Sequence, residues 1–383
     1  MAGFASLDDF TNQITVNGKT WRQDWNKNML PTTAAVAGEW SFLARGAGNP
    51  GADSLFNTGT NLLQQHVYDA IAAASSIQHG GNVAADGDGW KHIVNASSFS
   101  ASATTMPAIL MLVDLLGFVR LTSVTTTTAQ NVINSNTFTA SSSSGLLLTY
   151  TNDFPTFTMV RFTTTGTLPA GLSLNTDYWL VRQSGTTSKV ATSLGNAIAG
   201  TVVAFTDSGT GTHTLKVRHP RYGNGAGVQA FMWNNNATAL GAATPNLSIG
   251  YTNSAGVASR ATPTTLPIGK TAAANGLVLY SGTGSGKYGP FLPLQGGDAG
   301  IQSIETIQCA TSYVSGEFSV GLCKPLLTLP MTTIGVAAER DLMNQVPSLP
   351  RVYDGAALFW MIYHGANTPV NSAFYGHLDF AWS

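Results

Sequence analysis

HPRYGNGAGVQAFMW (residues 219–233) and LPRVYDGAALFWMIY (residues 349–363) carry the same signal. In each, a Pro-Arg pair is followed by three residues, a Gly-Ala pair and an apolar, aromatic run. The two stretches match at an offset of 130. A second match lies upstream at an offset of 211. There HIVNASSFSASATTMPAILMLVDLLGF (92–118) aligns without gaps against SIETIQCATSYVSGEFSVGLCKPLLTL (303–329). Ile93 falls on Ile304, and Leu115-Leu116 on Leu326-Leu327. Both matches occur in the same order, which points to one unit present twice. The offsets 211 and 130 differ by 81, so the first copy holds about 81 extra residues.

The repeat decides between helix and strand. AILMLVDLLGFV (108–119) is an apolar run that periodicity alone leaves open. Its partner FSVGLCKPLLTL contains Gly321 and Pro325, and a proline opposes a helix interior. The run therefore reads as strand, with a turn at 104–107 matched at 314–317. Within the first copy, FTMVRFTTTG, TDYWLVRQS, KVATSL, TVVAFTDSG and HTLKV read as short strands separated by Gly, Asn and Asp turns. They fill the place of the extra residues.

The expected fold is mainly β. It has two related, jelly-roll-like β-sandwich modules in tandem, the first from 91–132 and 218–285, the second from 286–383. A small β-domain at 133–217 interrupts the first. Residues 1–90 read as an irregular N-terminal arm, with a capped amphipathic stretch after Ser6 and a helix over 61–76.

Composition limits function. Charged residues are 10% of 383, against about 25% in ordinary domains. So little charge gives weak mutual repulsion and suits dense association. Net charge is −1 with no basic run, which argues against direct nucleic-acid binding. No apolar stretch approaches about 20 residues, so no membrane-spanning helix is expected. MAGFASLDDF lacks the basic and apolar regions of a secretory leader, so synthesis in a cytoplasm is expected. Cys309 and Cys323 sit on facing arms of a proposed hairpin, read as buried thiols because a reducing cytosol disfavours a disulfide.

Candidate sites are few. SGTGSGKYG (281–289) fails the phosphate-loop spacing, which needs four residues between glycine and Gly-Lys-Ser/Thr. His79 and His92 with Asp86 or Asp88 lack the later acidic ligand of a calcium loop. No Ser-His-Asp, Cys-His or paired-carboxylate spacing stands out. No catalytic residue, cofactor or metal is expected. Trp21, Trp25 and Trp40 have few periodic partners nearby, so they are candidate assembly contacts. Arg221 and Arg351 hold equivalent places in the repeat and suit bridging to carbonyls or Asp354, or contact between subunits. Tyr178, Trp179 and Phe205 are candidate glycan-facing aromatics on the inserted domain.

The chain resembles virion structural proteins of tailed bacteriophages. The resemblance is carried by WRQDWNK (21–27), QHGGN (78–82), SIGYTNSAGVASR (248–260), YGPFLPLQGGDAGIQSIETI (288–307), ERDLMNQVPSLPRVYDGAALFW (339–360) and GHLDFAWS (376–383). FTTTGTLPAGLSLNTDYWLV (162–181) looks like a small β-module found in phage capsid and tail proteins. The resemblance implies a non-enzymatic virion component, capsid-associated as decoration, cement or shell subunit. Its partners would be copies of itself and other virion proteins, such as a major capsid protein. The alternative is a tail or head-fibre protein that binds host-surface glycans through the inserted domain.

Overall fold

The computed structural model describes residues 3–29, 34–52, 63–65, 76–80, 89–100, 105–122, 127–142, 147–234, 246–263, 266–267, 276, 278, 289–312, 316–345 and 349–383. The chain is mainly β, with antiparallel sheets and short helices only. The glycine run at 281–287, Asp86 and Asp88 lie outside the described residues.

Among the described residues the strands form three sheets and one barrel. A terminal sheet runs Ala338–Asp341, Lys91–Phe99, Ala373–Trp382, Thr20–Asn28, Gly48–Asn49. A central sheet runs Gln229–Asn234, Glu317–Met331, Ala108–Thr122, Leu358–His364, Trp40–Phe42. A third sheet centres on Asn246–Asn253 and Ile301–Cys309. Six strands between Ser135 and Val217 close into a barrel.

The apolar run at 108–119 is strand because both its faces are covered. Leu110 and Leu112 pack under the terminal sheet, while Val113, Leu115 and Phe118 pack in a separate core on the other face. Two-sided burial removes the alternation that marks a half-exposed strand. Pro325 is tolerated in the neighbouring strand next to a break in register, where Leu326 has no partner. A bulge is one of the few sheet positions that admits a residue without an N–H.

Pairing runs across the two matched halves of the sequence. Lys91–Phe99 pairs with Ala373–Trp382, and its counterpart Ile301–Cys309 pairs with Asn246–Asn253. Ala108–Thr122 takes Leu358–His364 as neighbour, and Glu317–Met331 takes Gln229–Asn234. The two long strands lie side by side. One irregularity corresponds at the sequence offset, while the break at Gln302 has no counterpart in the other outer pair. Val94 is skipped in one outer pair and Glu305 in the other, 211 apart. Leu116 and Leu326 are skipped in the central pair, 210 apart. The hairpin expected to carry the cysteines does not form. Its two arms enter different sheets, and Cys309 and Cys323 are buried and free.

The N-terminal segment is less irregular than expected. Thr20–Asn28 pairs along its whole length with the C-terminal strand, from Thr20 opposite Ala381 to Asn28 opposite Ala373. Trp25 is buried against Trp360, ring centroids 4.9 Å apart. Trp40 is buried beside Tyr363. Within the helix expected over 61–76, Leu63–Gln65 is instead a strand beside Ala108–Thr122. Residues 61–62 and 66–75 lie outside the described residues.

Because Trp25 fills the core between the terminal and central sheets, Trp25→Ala should cost about 3–5 kcal/mol in urea unfolding. Trp21→Ala, at a half-exposed site, should cost less than about 1 kcal/mol.

Candidate assembly surface

The Pro-Arg repeat converges on a buried polar centre. Asp114 lies midway along Ala108–Thr122 and is fully buried. Arg221 grips it with a fork, Nε to Oδ2 at 2.8 Å and Nη2 to Oδ1 at 2.6 Å. The same guanidinium donates to the carbonyls of Gly355 and Leu115, at 2.5 and 2.8 Å. Ala357 N–H closes the ring on Asp114 Oδ1 at 3.0 Å. Arg221 of one motif therefore holds the turn of the other. It bridges to carbonyls as expected, and at 4% exposure it offers no contact to a neighbouring subunit.

Lys324 stands opposite Asp114 in the ladder. It donates to the Ala226 carbonyl of the first motif at 3.0 Å. Arg351 behaves differently from Arg221. Its guanidinium stacks on Trp90 and Tyr353, 3.8 and 4.1 Å from the ring centroids. Asp354, the partner expected for it, pairs with buried Lys91 at 3.4 Å. Burial pulls the Lys91 ammonium down to about 8, with Asp354 opposing.

His79 Nδ1 accepts from Lys91 Nζ at 2.9 Å, and its Nε2 donates to the Ala356 carbonyl at 3.0 Å. Both nitrogens are engaged, so His79 is a core histidine. Among the described residues no group of three metal-ligating side chains forms.

The other candidates separate by burial. Trp25 and Trp40 belong to the chain's own core, and Trp21 is 43% exposed. Tyr178 and Phe205 are inside the barrel core, where an apolar interior outweighs any outward role. The Tyr178 hydroxyl accepts from Ser173 N–H at 2.9 Å. Trp179 is half-buried on an adjacent position of the same strand. Of the three, only Trp179 is partly exposed.

The outer face of the terminal sheet is the most developed exposed surface. Strand alternation turns Phe374, Leu378 and Phe380 inward, and Tyr375, His377 and Asp379 outward. Register builds three rows. Arg22, Asp379, Asn95 and Asp341 form one; Asp24, His377, Ser97 and Glu339 the next; Asn26, Tyr375 and Phe99 the third. A groove of about 380 Å³ runs over them. Phe99 and Tyr375 stack at 5.5 Å at its end.

This face brings together a Ser-His-Asp trio that no sequence spacing marks, because its members come from two distant strands. Ser97 Oγ lies 2.7 Å from His377 Nδ1, and His377 Nε2 lies 3.5 Å from Asp379 Oδ2. The second distance is too long for a firm hydrogen bond. Both strands have a neighbour on each side, so their N–H groups serve the ladder. Acyl transfer needs N–H donors aimed at an oxyanion, and these strands do not supply them. Ser97 and His377 face each other as a cross-strand polar pair, with Asp379 two residues along the His377 strand.

No family model matches the chain, and no curated protein matches it. Solved structures give faint likenesses. The infectious bursal disease virus VP2 subviral particle shares 12% identity over 76% of this chain and 81% of its own, with a TM-score of 0.14. Infectious bursal virus derived T=1 particles share 12% over 76% and 77%, TM-score 0.15. The infectious bursal disease virus Gx strain structure shares 11% over 95% and 79%, TM-score 0.12. At such TM-scores the likeness carries no argument about this chain.

Two outcomes follow from the buried centre. Asp114→Ala strands the Arg221 charge in the interior and should cost about 3–5 kcal/mol, read as a lower urea midpoint. The second concerns acid. Burial pushes the imidazoles of His79, His219 and His364 down to about 3, 4 and 3, while the unfolded chain takes up these protons near pH 6.5. Their contribution is full above about pH 6.5 and is lost as pH falls toward 3. Near pH 5 stability should fall by on the order of 4 kcal/mol per pH unit, since three protons are bound on unfolding. His219→Gln should reduce that slope by about one proton in urea titrations across pH.

Proposed function

We propose that the protein is a non-enzymatic structural component of a virus particle, of the tailed-bacteriophage kind, that associates with the capsid as a decoration, cement or shell subunit. The body is read as a duplicated sandwich unit whose copies exchange strands, with the barrel inserted in the first copy. The observation that carries the reading is an apolar cluster at the open end of the terminal sheet. Phe99 and Tyr375 are each 38% exposed, and Ile334, Val336 and Val370 between 40% and 58%. Phe99 and Tyr375 stack, and Gly335 N–H on the Ser100 carbonyl at 2.9 Å brings the turn of Ile334 and Val336 beside the end of the Phe99 strand. Exposed apolar side chains grouped beside a polar sheet face are the marks of a contact surface.

The mechanism is repetition. One small contact is weak, but on a closed lattice each subunit makes several at once, and the linked contacts hold far better than any one. A chain with 10% charged residues meets little repulsion at such seams. Partners are further copies of the chain and a major capsid protein.

Sedimentation velocity of the purified protein should show concentration-dependent association that Phe99→Glu with Tyr375→Glu removes. Mass spectrometry of purified particles should find the chain in numbers comparable with the shell subunit. A protein that stays monomeric and is absent from particles, or present only at tail stoichiometry, overturns the reading.

A further inference from the structure

The barrel carries a groove of about 550 Å³ on its side, which the proposed assembly surface does not use. Along Ser135–Ser141, alternation turns Asn136, Phe138 and Ala140 inward and leaves Thr137 and Thr139 outside. Thr139 stands opposite Thr149 on the neighbouring strand, and Thr137 opposite Thr214 on the other side. The threonines therefore form rows, about 4.8 Å apart between strands and about 6.8 Å apart along a strand. That is the scale of a pyranose ring with its hydroxyls.

The turn 208–212 forms the opposite wall and is held rigidly. Gly209 and Gly211 have φ of 68° and 82°. A Cβ at Gly209 would lie 2.4 Å from the Thr167 carbonyl oxygen, and one at Gly211 2.7 Å from Gly166 N. Thr210 N–H donates to Thr167 O at 2.8 Å, and Thr167 N–H to Thr210 O at 3.1 Å. Buried His213 fixes the base of the turn through Thr164 Oγ1 at 2.8 Å and the Ser208 carbonyl at 3.1 Å.

The chemistry of the lining is specific. No Asp, Glu, Lys or Arg lines the groove, so an anionic or cationic ligand finds no counter-charge. The hydroxyls of Thr137, Thr139, Thr149 and Thr212 form no hydrogen bond to any described residue. Each can donate once and accept twice, which matches the hydroxyl of a sugar. Threonine methyls give the C–H faces of such a ring an apolar contact. The barrel's two ends are joined to each other by Val217 N–H on the Asn134 carbonyl at 2.7 Å, and its root meets the third sheet through Asn134 Nδ2 on the Ile304 carbonyl at 2.8 Å and Lys216 near Glu305 at 3.8 Å.

We infer that this threonine groove binds a neutral saccharide. The inference does not rest on the virion reading. The test is an NMR titration of the full chain with the methyl glycosides of glucose, galactose and N-acetylglucosamine, and with N-acetylneuraminic acid as a charged control. At least one neutral glycoside should shift amides within 137–151 and 208–213 at millimolar concentration. Thr139→Val and Thr149→Val preserve shape and strand preference while removing a hydroxyl each. Each should weaken binding about fivefold to tenfold, with circular dichroism unchanged. No shift with any neutral glycoside, full affinity in folded valine variants, or preference for the charged sugar each overturns the inference.

Discussion

The ion pair between Asp114 and Arg221 is the constraint on which the body depends. A carboxylate in the middle of a fully covered strand is costly unless its partner arrives in good geometry. Arg221 supplies that geometry and lies 107 residues further along the chain. Everything between them, the six-stranded barrel included, must leave the body and return at a spacing that puts Arg221 back on Asp114. The barrel meets this demand because its first and last strands, Ser135–Ser141 and His213–Val217, are paired neighbours. Its two ends emerge side by side.

The same pair locks the two halves together. Arg221 also holds the Gly355 and Leu115 carbonyls, and Asp114 also holds the Ala357 N–H. A one-residue slip of the central strands would leave the charge buried and unpaired, so the bulges at Leu116 and Leu326 and the ion pair specify one register between them. Lys324, opposite Asp114, gives the other turn its own hydrogen bond. Exchange of strands between halves means that neither half closes its sheets alone.

Charge and apolar surface are kept apart on the exposed faces. The terminal sheet has charged rows and one aromatic end, whereas the barrel groove has hydroxyls and no charge. The two surfaces lie on different units of the fold, the first on the terminal sheet and the second on the barrel.

Much of the β architecture was legible in the residues. The Pro-Arg and Gly-Ala motif was visible twice, Pro325 argued that the apolar run at 108–119 is strand, and short segments marked four of the six barrel strands; Ser135–Ser141 and Leu147–Thr149 went unmarked, and TVVAFTDSG (201–209), which reads as a strand, is irregular. These signals are local or depend on comparing two stretches, so they survive in the order of the residues. Partner choice does not. Nothing in WRQDWNK says that Thr20–Asn28 pairs with the last strand, which turns Trp25 from a candidate contact into core. Tyr178 and Trp179 are adjacent in sequence, yet the strand pleat buries one and half-exposes the other. Arg221 and Arg351 occupy matching places in the repeat, yet one meets Asp114 and the other Trp90 and Tyr353, because the position facing each differs between halves. Sequence by itself marked several of the strands and one repeated motif. Only the tertiary structure decided which strands meet, since pairing and burial are properties of residues brought together from distant positions, 107 apart for Asp114 and Arg221.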